Sequence, residues 1–111
     1  MLTPTLEDMH RYAHALYNNL DGPQIIDTRP EEDFDSRHII KSINLPHTKL
    51  LSCLMSPKEL SKVFLKHGVD TTLTSILIGD GLSEFIVELA LKEVGCEKTG
   101  IFFGGWEAYA S

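Results

Sequence analysis

The chain has few of the features that mark membrane, secreted and nucleic-acid-binding proteins. None of its apolar runs approaches the ~20 residues that a helix needs to cross a bilayer. Its opening segment, MLTPTLEDMHRYAH, has no apolar signal core and carries Glu7 and Asp8. Lys and Arg number 10 against 16 Asp and Glu, a formal net charge of −6. With no basic cluster, we expect a cytoplasmic protein that binds neither nucleic acid nor membrane.

Cysteine is also scarce, because Cys53 and Cys96 are the only two. Two distant thiols provide neither a disulfide framework nor a zinc site, so we expect reduced thiols used in packing. His10 and His14 are four residues apart, with Glu7 three before, which is a possible metal-binding spacing on a helix. No fourth ligand is near, so we interpret them as a solvated face and expect no metal and no cofactor.

The chain does have enough apolar residues for a folded domain. Of its 111 residues 42% are hydrophobic and 23% charged, which excludes disorder and fits one domain over 1–111. Helical patterns alternate with short apolar runs. The predicted helices span 5–20, 56–68 and 84–94, with a short one after Pro30 and another from Trp106, and the predicted strands lie at 24–27, 42–45, 74–78 and 101–103. This alternation predicts an α/β fold with a mostly parallel sheet and helices on both faces.

Small polar residues mark the predicted helix starts. Thr5 with Asp8 resembles a capping box, and Ser56 precedes a proline at the first helical position. We expect Thr28 to cap the short helix and Ser83 to cap the 84–94 helix. That last helix is apolar on nearly all sides, which predicts that it is largely buried.

Ligands of open parallel sheets bind beyond the carboxyl ends of the strands. The segment from Asp80 to Phe85 follows the central predicted strand and leads into a helix. The first amides of such a helix point back at the loop, which suits an anion or a thiolate nucleophile. Asp27 and Arg29 end the first strand. We interpret them as an ion pair that fixes this loop.

Three motifs, in order, resemble those of the rhodanese-like sulfurtransferase domains. They are the stretches 25–34 (IIDTRPEEDF), 37–46 (RHIIKSINLP) and 101–109 with its Gly104-Gly105-Trp106. The resemblance covers residues 24–109 and implies a three-layer rhodanese topology with about five strands. By the same resemblance the following residues would support the central loop: Asp27, Arg29, His38, Gly104, Gly105 and Trp106. Arg37 and Ile40-Lys41 depart from the family pattern around His38.

The resemblance also indicates a missing nucleophile. Active members of that family carry a cysteine as the first loop residue, which holds the transferred sulfur as a persulfide, and this chain has Asp80 there. The loop comprises Asp80, Gly81, Leu82, Ser83, Glu84 and Phe85, with no cysteine, Arg or Lys. A carboxylate cannot hold a persulfide, and two acidic groups repel an anionic substrate. We therefore expect an inactive domain that binds another protein or domain, or forms the non-catalytic half of a sulfurtransferase.

Other interpretations stay open beside this one. Sulfur transfer could proceed through a non-standard cysteine or as part of a larger enzyme, although Cys96 is predicted at the opposite edge of the sheet and Cys53 cannot be placed. Asp80 could act as a covalent nucleophile, but the metal or acidic partners of such sites are missing. The cleft could also bind a small ligand as a sensor.

Overall fold

The computed structural model describes residues 1–111 and contains one parallel sheet. Its strands are β1 (Gln24–Asp27), β2 (Ile43–Asn44), β3 (Ser75–Ile78) and β4 (Thr99–Ile101). They lie in the order β2-β1-β3-β4, and every pairing is parallel. Leu2 forms a single parallel bridge with Gly100 of β4, on the free edge of that strand. The predicted parallel α/β architecture is confirmed, with four strands and one bridge in place of about five strands.

Five helices surround the sheet. They are α1 (Leu6–Tyr17), α2 (Glu31–Ser36), α3 (Pro57–Lys66), α4 (Ser83–Glu93) and α5 (Gly105–Ala110), with a 3₁₀ helix at His47–Leu50. None of them combines the length and apolar character needed to cross a membrane.

β1, β3 and β4 are buried on both faces and β2 is half-buried, and alternate residues of a strand point to opposite sides of the sheet. Ile26, Leu77 and Ile101 face a core shared with α3, α4 and the 3₁₀ helix. Ile25 and Ile76 face a second, smaller core with α1, against which α5 also packs. The sheet therefore has helices on both faces, as the apolar strand sequences predict.

Two helix starts match the sequence. Thr5 and Asp8 form a reciprocal capping box at α1, with distances of 3.1 and 2.9 Å. The Ser56 hydroxyl accepts a hydrogen bond from the Glu59 amide at the start of α3. Each side chain satisfies a helix amide that would otherwise lack an acceptor.

The predicted caps at Thr28 and Ser83 are wrong. Pro30 occupies the cap position of α2 without a side-chain bond, and Ser83 is the first helical residue of α4. The two hydroxyls are instead 2.6 Å from each other, across the ends of β1 and β3. A contact between distant segments has overridden the local capping preference.

Helix α4 is also less buried than predicted. Val87, Ala90 and Leu91 are buried, but Phe85 and Leu89 remain 45% and 57% exposed. The helix packs against the sheet, the 3₁₀ helix and α3, while Phe85 and Leu89 lie on its exposed side. Apolar residues therefore reach solvent along the side that continues from the central loop.

Candidate functional site

The candidate site lies where the loop after β3 meets the loop after β4. The Trp106 amide donates to the Gly79 carbonyl oxygen at 2.8 Å, which joins the two loops. Gly105 allows this approach. Its φ is +65°, and a Cβ at this position would lie 2.7 Å from the same carbonyl oxygen. The backbone contact therefore requires glycine at residue 105.

Asp80 is the first residue of the β3 loop, and its carboxylate folds back over the loop. One oxygen, Oδ1, accepts hydrogen bonds from the amides of Leu82 at 3.0 Å and Ser83 at 2.8 Å. The bond from the Ser83 amide is the main factor lowering the pKa of Asp80, with support from Leu82 and the charge of His47, against partial desolvation. Asp80 is therefore ionised at neutral pH and is bound to its own loop.

Glu84 occupies the remaining part of the same loop. Its side chain is fully buried, and its two oxygens lie 3.0 and 3.1 Å from the Gly81 amide nitrogen. The Ser83 hydroxyl donates to it at 3.3 Å, while also contacting Thr28. No Lys or Arg forms a salt bridge with Glu84. The three consecutive loop amides of residues 81–83 thus all donate to carboxylates of this chain.

Asp27 and Arg29 form an ion pair at the end of β1, and both are more than nine-tenths buried. Arg29 Nη2 lies 2.9 Å from Asp27 Oδ2 and also donates to the Arg37 carbonyl oxygen at 2.7 Å. The guanidinium stacks on the Trp106 ring, 4.1 Å from its centroid. Arg29 therefore connects β1, α2 and α5 around the site.

His38 does not reach the central loop. It lies just after α2, where its Nδ1 is 2.6 Å from the Phe34 carbonyl oxygen and its ring stacks on the Phe34 ring. Both interactions are with α2. The structure therefore gives His38 a local role at the end of α2. The expectation that His38 supports the central loop is wrong, because the hydrogen bond and the ring stacking of His38 are both with Phe34.

An open cleft of about 580 Å³ borders the loop. Gly79, Gly81, Gly104 and Gly105 form part of its backbone wall. Charged and aromatic side chains also line it, namely Arg29, Asp33, Arg37, Asp80, Phe103, Trp106 and Glu107. Arg29 is already neutralised by Asp27. The remaining charges are three carboxylates against the single guanidinium of Arg37, which makes the cleft unfavourable for anions.

Neither thiol borders this cleft. Cys96 is buried at the amino end of the sheet, where its sulfur lies 3.6 Å from the Leu73 carbonyl oxygen. The prediction that Cys96 lies at the edge opposite the central loop is confirmed. Cys53 is half-buried against the larger core, with its sulfur 3.4 Å from the Leu50 carbonyl oxygen. Both thiols of the chain therefore lie away from the central loop.

The residues considered for metal binding are spread over the surface of α1. His10 contacts the Tyr109 ring, and His14 lies beside Asn18. No three His, Cys, Asp or Glu side chains come together as a metal-binding group. The sequence interpretation did not assign Asp33, Arg37, Phe103 or Glu107 to the site. The only signal for Phe103 and Glu107 was their position beside Gly104-Gly105-Trp106.

Comparison with known proteins shows which family and which solved structures this chain is similar to. The family profile described as "Rhodanese-like domain" matches residues 12–111. A protein of Schizosaccharomyces pombe named "Probable 3-mercaptopyruvate sulfurtransferase" is 31% identical, and the alignment covers 79% of this chain and 35% of that protein. The chain therefore spans about a third of the length of this curated relative.

Solved structures show the same fold. SseA of Escherichia coli, a 3-mercaptopyruvate sulfurtransferase by its description, superposes with a TM-score of 0.78 at 28% identity, over 95% of this chain and 42% of that chain. A human single-domain sulfurtransferase superposes with a TM-score of 0.67 at 17% identity, over 99% and 96% of the two chains. The solved structures share the fold, and the family profile, which matches most of the chain, shows that the chain belongs to the rhodanese-like domain family.

Proposed function

We propose that this chain is a catalytically silent rhodanese-like domain that acts as an interaction or regulatory module, or as the non-catalytic part of a longer sulfurtransferase. One observation carries the proposal. The loop amides of residues 81–83, which would be free to bind a substrate anion, donate to Asp80 and Glu84. The site is already filled by carboxylates of its own chain.

The chemistry of the cleft supports the same conclusion. Sulfur transfer by a persulfide needs a thiolate, and residue 80 offers a carboxylate with a lowered pKa. An anionic donor such as thiosulfate would also meet Asp80, Asp33 and Glu107. Two unit charges about 4 Å apart repel by about 1 kcal/mol in water and about 4 kcal/mol near a protein surface. Binding of the donor is therefore opposed before any reaction begins.

A thiocyanate-formation assay tests the proposal. The purified chain is mixed with cyanide and either thiosulfate or 3-mercaptopyruvate, and we expect no thiocyanate above the protein-free rate. A variant with both Cys53→Ser and Cys96→Ser serves as the thiol-free control. Turnover that disappears in this control would contradict the proposal and support transfer through a non-standard cysteine.

The Asp80→Cys variant separates loss of the nucleophile from loss of the whole site. We expect little turnover from it, because Glu84 still occupies the Gly81 amide and the loop has no cation. Asp80→Ser is the matched control without a thiol. Efficient cyanide-dependent turnover by Asp80→Cys would show that the rest of the site is competent, which would contradict the electrostatic part of the argument.

A second candidate is participation in sulfur transfer as part of a longer enzyme. The chain covers 35% and 42% of two longer relatives described as 3-mercaptopyruvate sulfurtransferases, so such proteins contain additional chain. In that case the reactive thiol belongs to the additional part. Activity that survives Cys53→Ser and Cys96→Ser in a longer protein, but is absent from residues 1–111 alone, would support this candidate.

A further inference from the structure

An apolar surface adjoins the filled loop. Leu82, Phe85, Leu89 and Phe103, here called the loop-side patch, are 78%, 45%, 57% and 54% exposed. Leu82, Phe85 and Leu89 are three and four residues apart and therefore share one face of α4 and its cap. Phe103 joins them, because its ring centroid lies 5.9 Å from that of Phe85. The patch is continuous across two loops of the site.

The exposed apolar area of the patch is larger than that of apolar residues scattered singly on a surface. Four large side chains exposed by about half or more present on the order of 400 Å² of apolar surface. A standard interface buries roughly 800 Å² on each partner, with an apolar centre and a polar rim. The patch is thus large enough for the centre of a standard interface, but small for an obligate dimer, which buries at least about 1,000 Å² per subunit.

The rim of the patch is acidic. Asp80 and Glu107 line the cleft that Phe103 also borders, and Glu93 is exposed at the end of the same helix. The same cleft also contributes Asp33 and Arg37, and the ammonium group of Lys92 donates to the Glu97 carbonyl oxygen, so the rim has four carboxylates and two cations. The net charge of the rim is therefore negative, like that of the whole chain at −6.

We propose that the loop-side patch docks a partner protein segment that presents apolar anchors flanked by Lys or Arg. Charge complementarity favours such a partner, because basic groups pair with the acidic rim around the apolar centre. A second copy of the chain is disfavoured, since it would bring two acidic rims together. The proposal deepens and rests on the proposed interaction module, because the filled loop forms one border of the docking surface.

Nuclear magnetic resonance titration with designed peptides tests this surface. The probe is a helical peptide with Leu and Phe at positions i, i+3 and i+7 and Lys at flanking positions. One matched peptide replaces each Lys by Glu, and another replaces each anchor by Ser. We expect the basic peptide alone to shift amide signals of residues 80–89 and 103–107 in the ¹⁵N-labelled chain. Raising the salt concentration weakens this binding, because the rim charges are exposed.

Two substitutions provide a matched comparison. Leu82 and Leu65 are both 78% exposed, but Leu65 lies on α3, outside the patch. Leu82→Ser should weaken binding of the basic peptide about tenfold, as expected for an anchor residue, whereas Leu65→Ser should leave it unchanged. Neither side chain is in the core, so both variants are expected to fold.

Several results would overturn the proposal. They are no signal shifts up to millimolar peptide, shifts outside the patch, or equal binding of the acidic peptide. Self-association of the free chain that Leu82→Ser abolishes would instead identify a second copy as the occupant. Leu82-dependent binding to neutral phosphatidylcholine vesicles would identify a membrane surface. These readouts are independent of the thiocyanate assay, so failure of the docking proposal and failure of the silent-domain proposal are distinguishable.

Discussion

Replacing Glu84 by alanine tests whether its carboxylate holds the central loop together. The side chain is fully buried and provides both oxygens to the Gly81 amide and one to the Ser83 hydroxyl. Glu84→Ala removes the acceptor from the Gly81 amide, whereas Ser83 keeps its contact with Thr28. We therefore expect a less stable protein with a more mobile loop.

The size of the effect follows from these contacts. A hydrogen bond to a charged group contributes about 1.5–3 kcal/mol, and because Gly81 is exposed, water can replace part of the lost bond. Relief from burying a carboxylate without a cation offsets part of this loss. We expect the free energy of unfolding to fall by about 2 kcal/mol, or roughly 10 °C in Tm for a domain of this size. Glu84→Gln keeps one oxygen as an acceptor, so its free energy of unfolding should fall by about half as much as that of Glu84→Ala.

Urea denaturation and thermal melting measure the loss, and hydrogen exchange reports on the Gly81 amide. Glu93→Ala is the control, because Glu93 is an exposed acidic residue of the same helix and should change stability by less than about 0.5 kcal/mol. Faster exchange at Gly81 in Glu84→Ala, but not in Glu93→Ala, is the specific signature. A Glu84→Ala variant as stable as the original chain would refute the argument that this carboxylate holds the loop.

Two further changes address the same loop. Asp80→Ala removes the acceptor for the Leu82 and Ser83 amides and should cost about 1 kcal/mol, the usual net contribution of a hydrogen bond to stability. Asp80→Asn keeps an acceptor and should cost less. Because the pKa of Asp80 lies below its ordinary value of 3.8, its charge stabilises the fold above that value. This contribution disappears as the pH falls through the lowered pKa, so the difference between Asp80→Asn and the original chain should shrink in acid. A difference that is the same at pH 7 and pH 3 in urea denaturation would contradict this. Gly105→Ala should destabilise the chain by more than the about 1–2 kcal/mol of a left-handed alanine, because its Cβ would also press on the Gly79 carbonyl oxygen. Gly68→Ala is the control, because Gly68 has a φ of +79° and open space around it. If both substitutions lower the free energy of unfolding equally, the contact with the Gly79 carbonyl oxygen does not contribute to the loss.

The sequence predicts the framework well because its signals are local. Short apolar strands between helical segments indicate a parallel sheet with two covered faces, and the capping residues Thr5 and Ser56 act within their own helices. β2 is short, with a register defined by two residue pairs. A segment of this length carries little periodicity, which is why the strand count is less predictable than the fold class.

The site is less predictable because its contacts join distant segments. The sequence places Asp80 in the central loop, but it gives no sign that Thr28 and Ser83 meet across 55 positions. Capping preferences point each hydroxyl to its own helix, and the approach of β1 and β3 directs them to each other. The burial of Glu84 was equally hidden, since a glutamate in the first turn of a helix is commonly exposed.

The position of Trp106 has a practical consequence for studies of this protein. It is the single tryptophan of the chain, it borders the cleft, and its indole ring is covered by the Arg29 guanidinium. Indole fluorescence depends on nearby charge and on contact with water. The emission of this one residue is therefore an intrinsic optical reporter, which needs no label and senses the entrance of the cleft without contribution from other tryptophans.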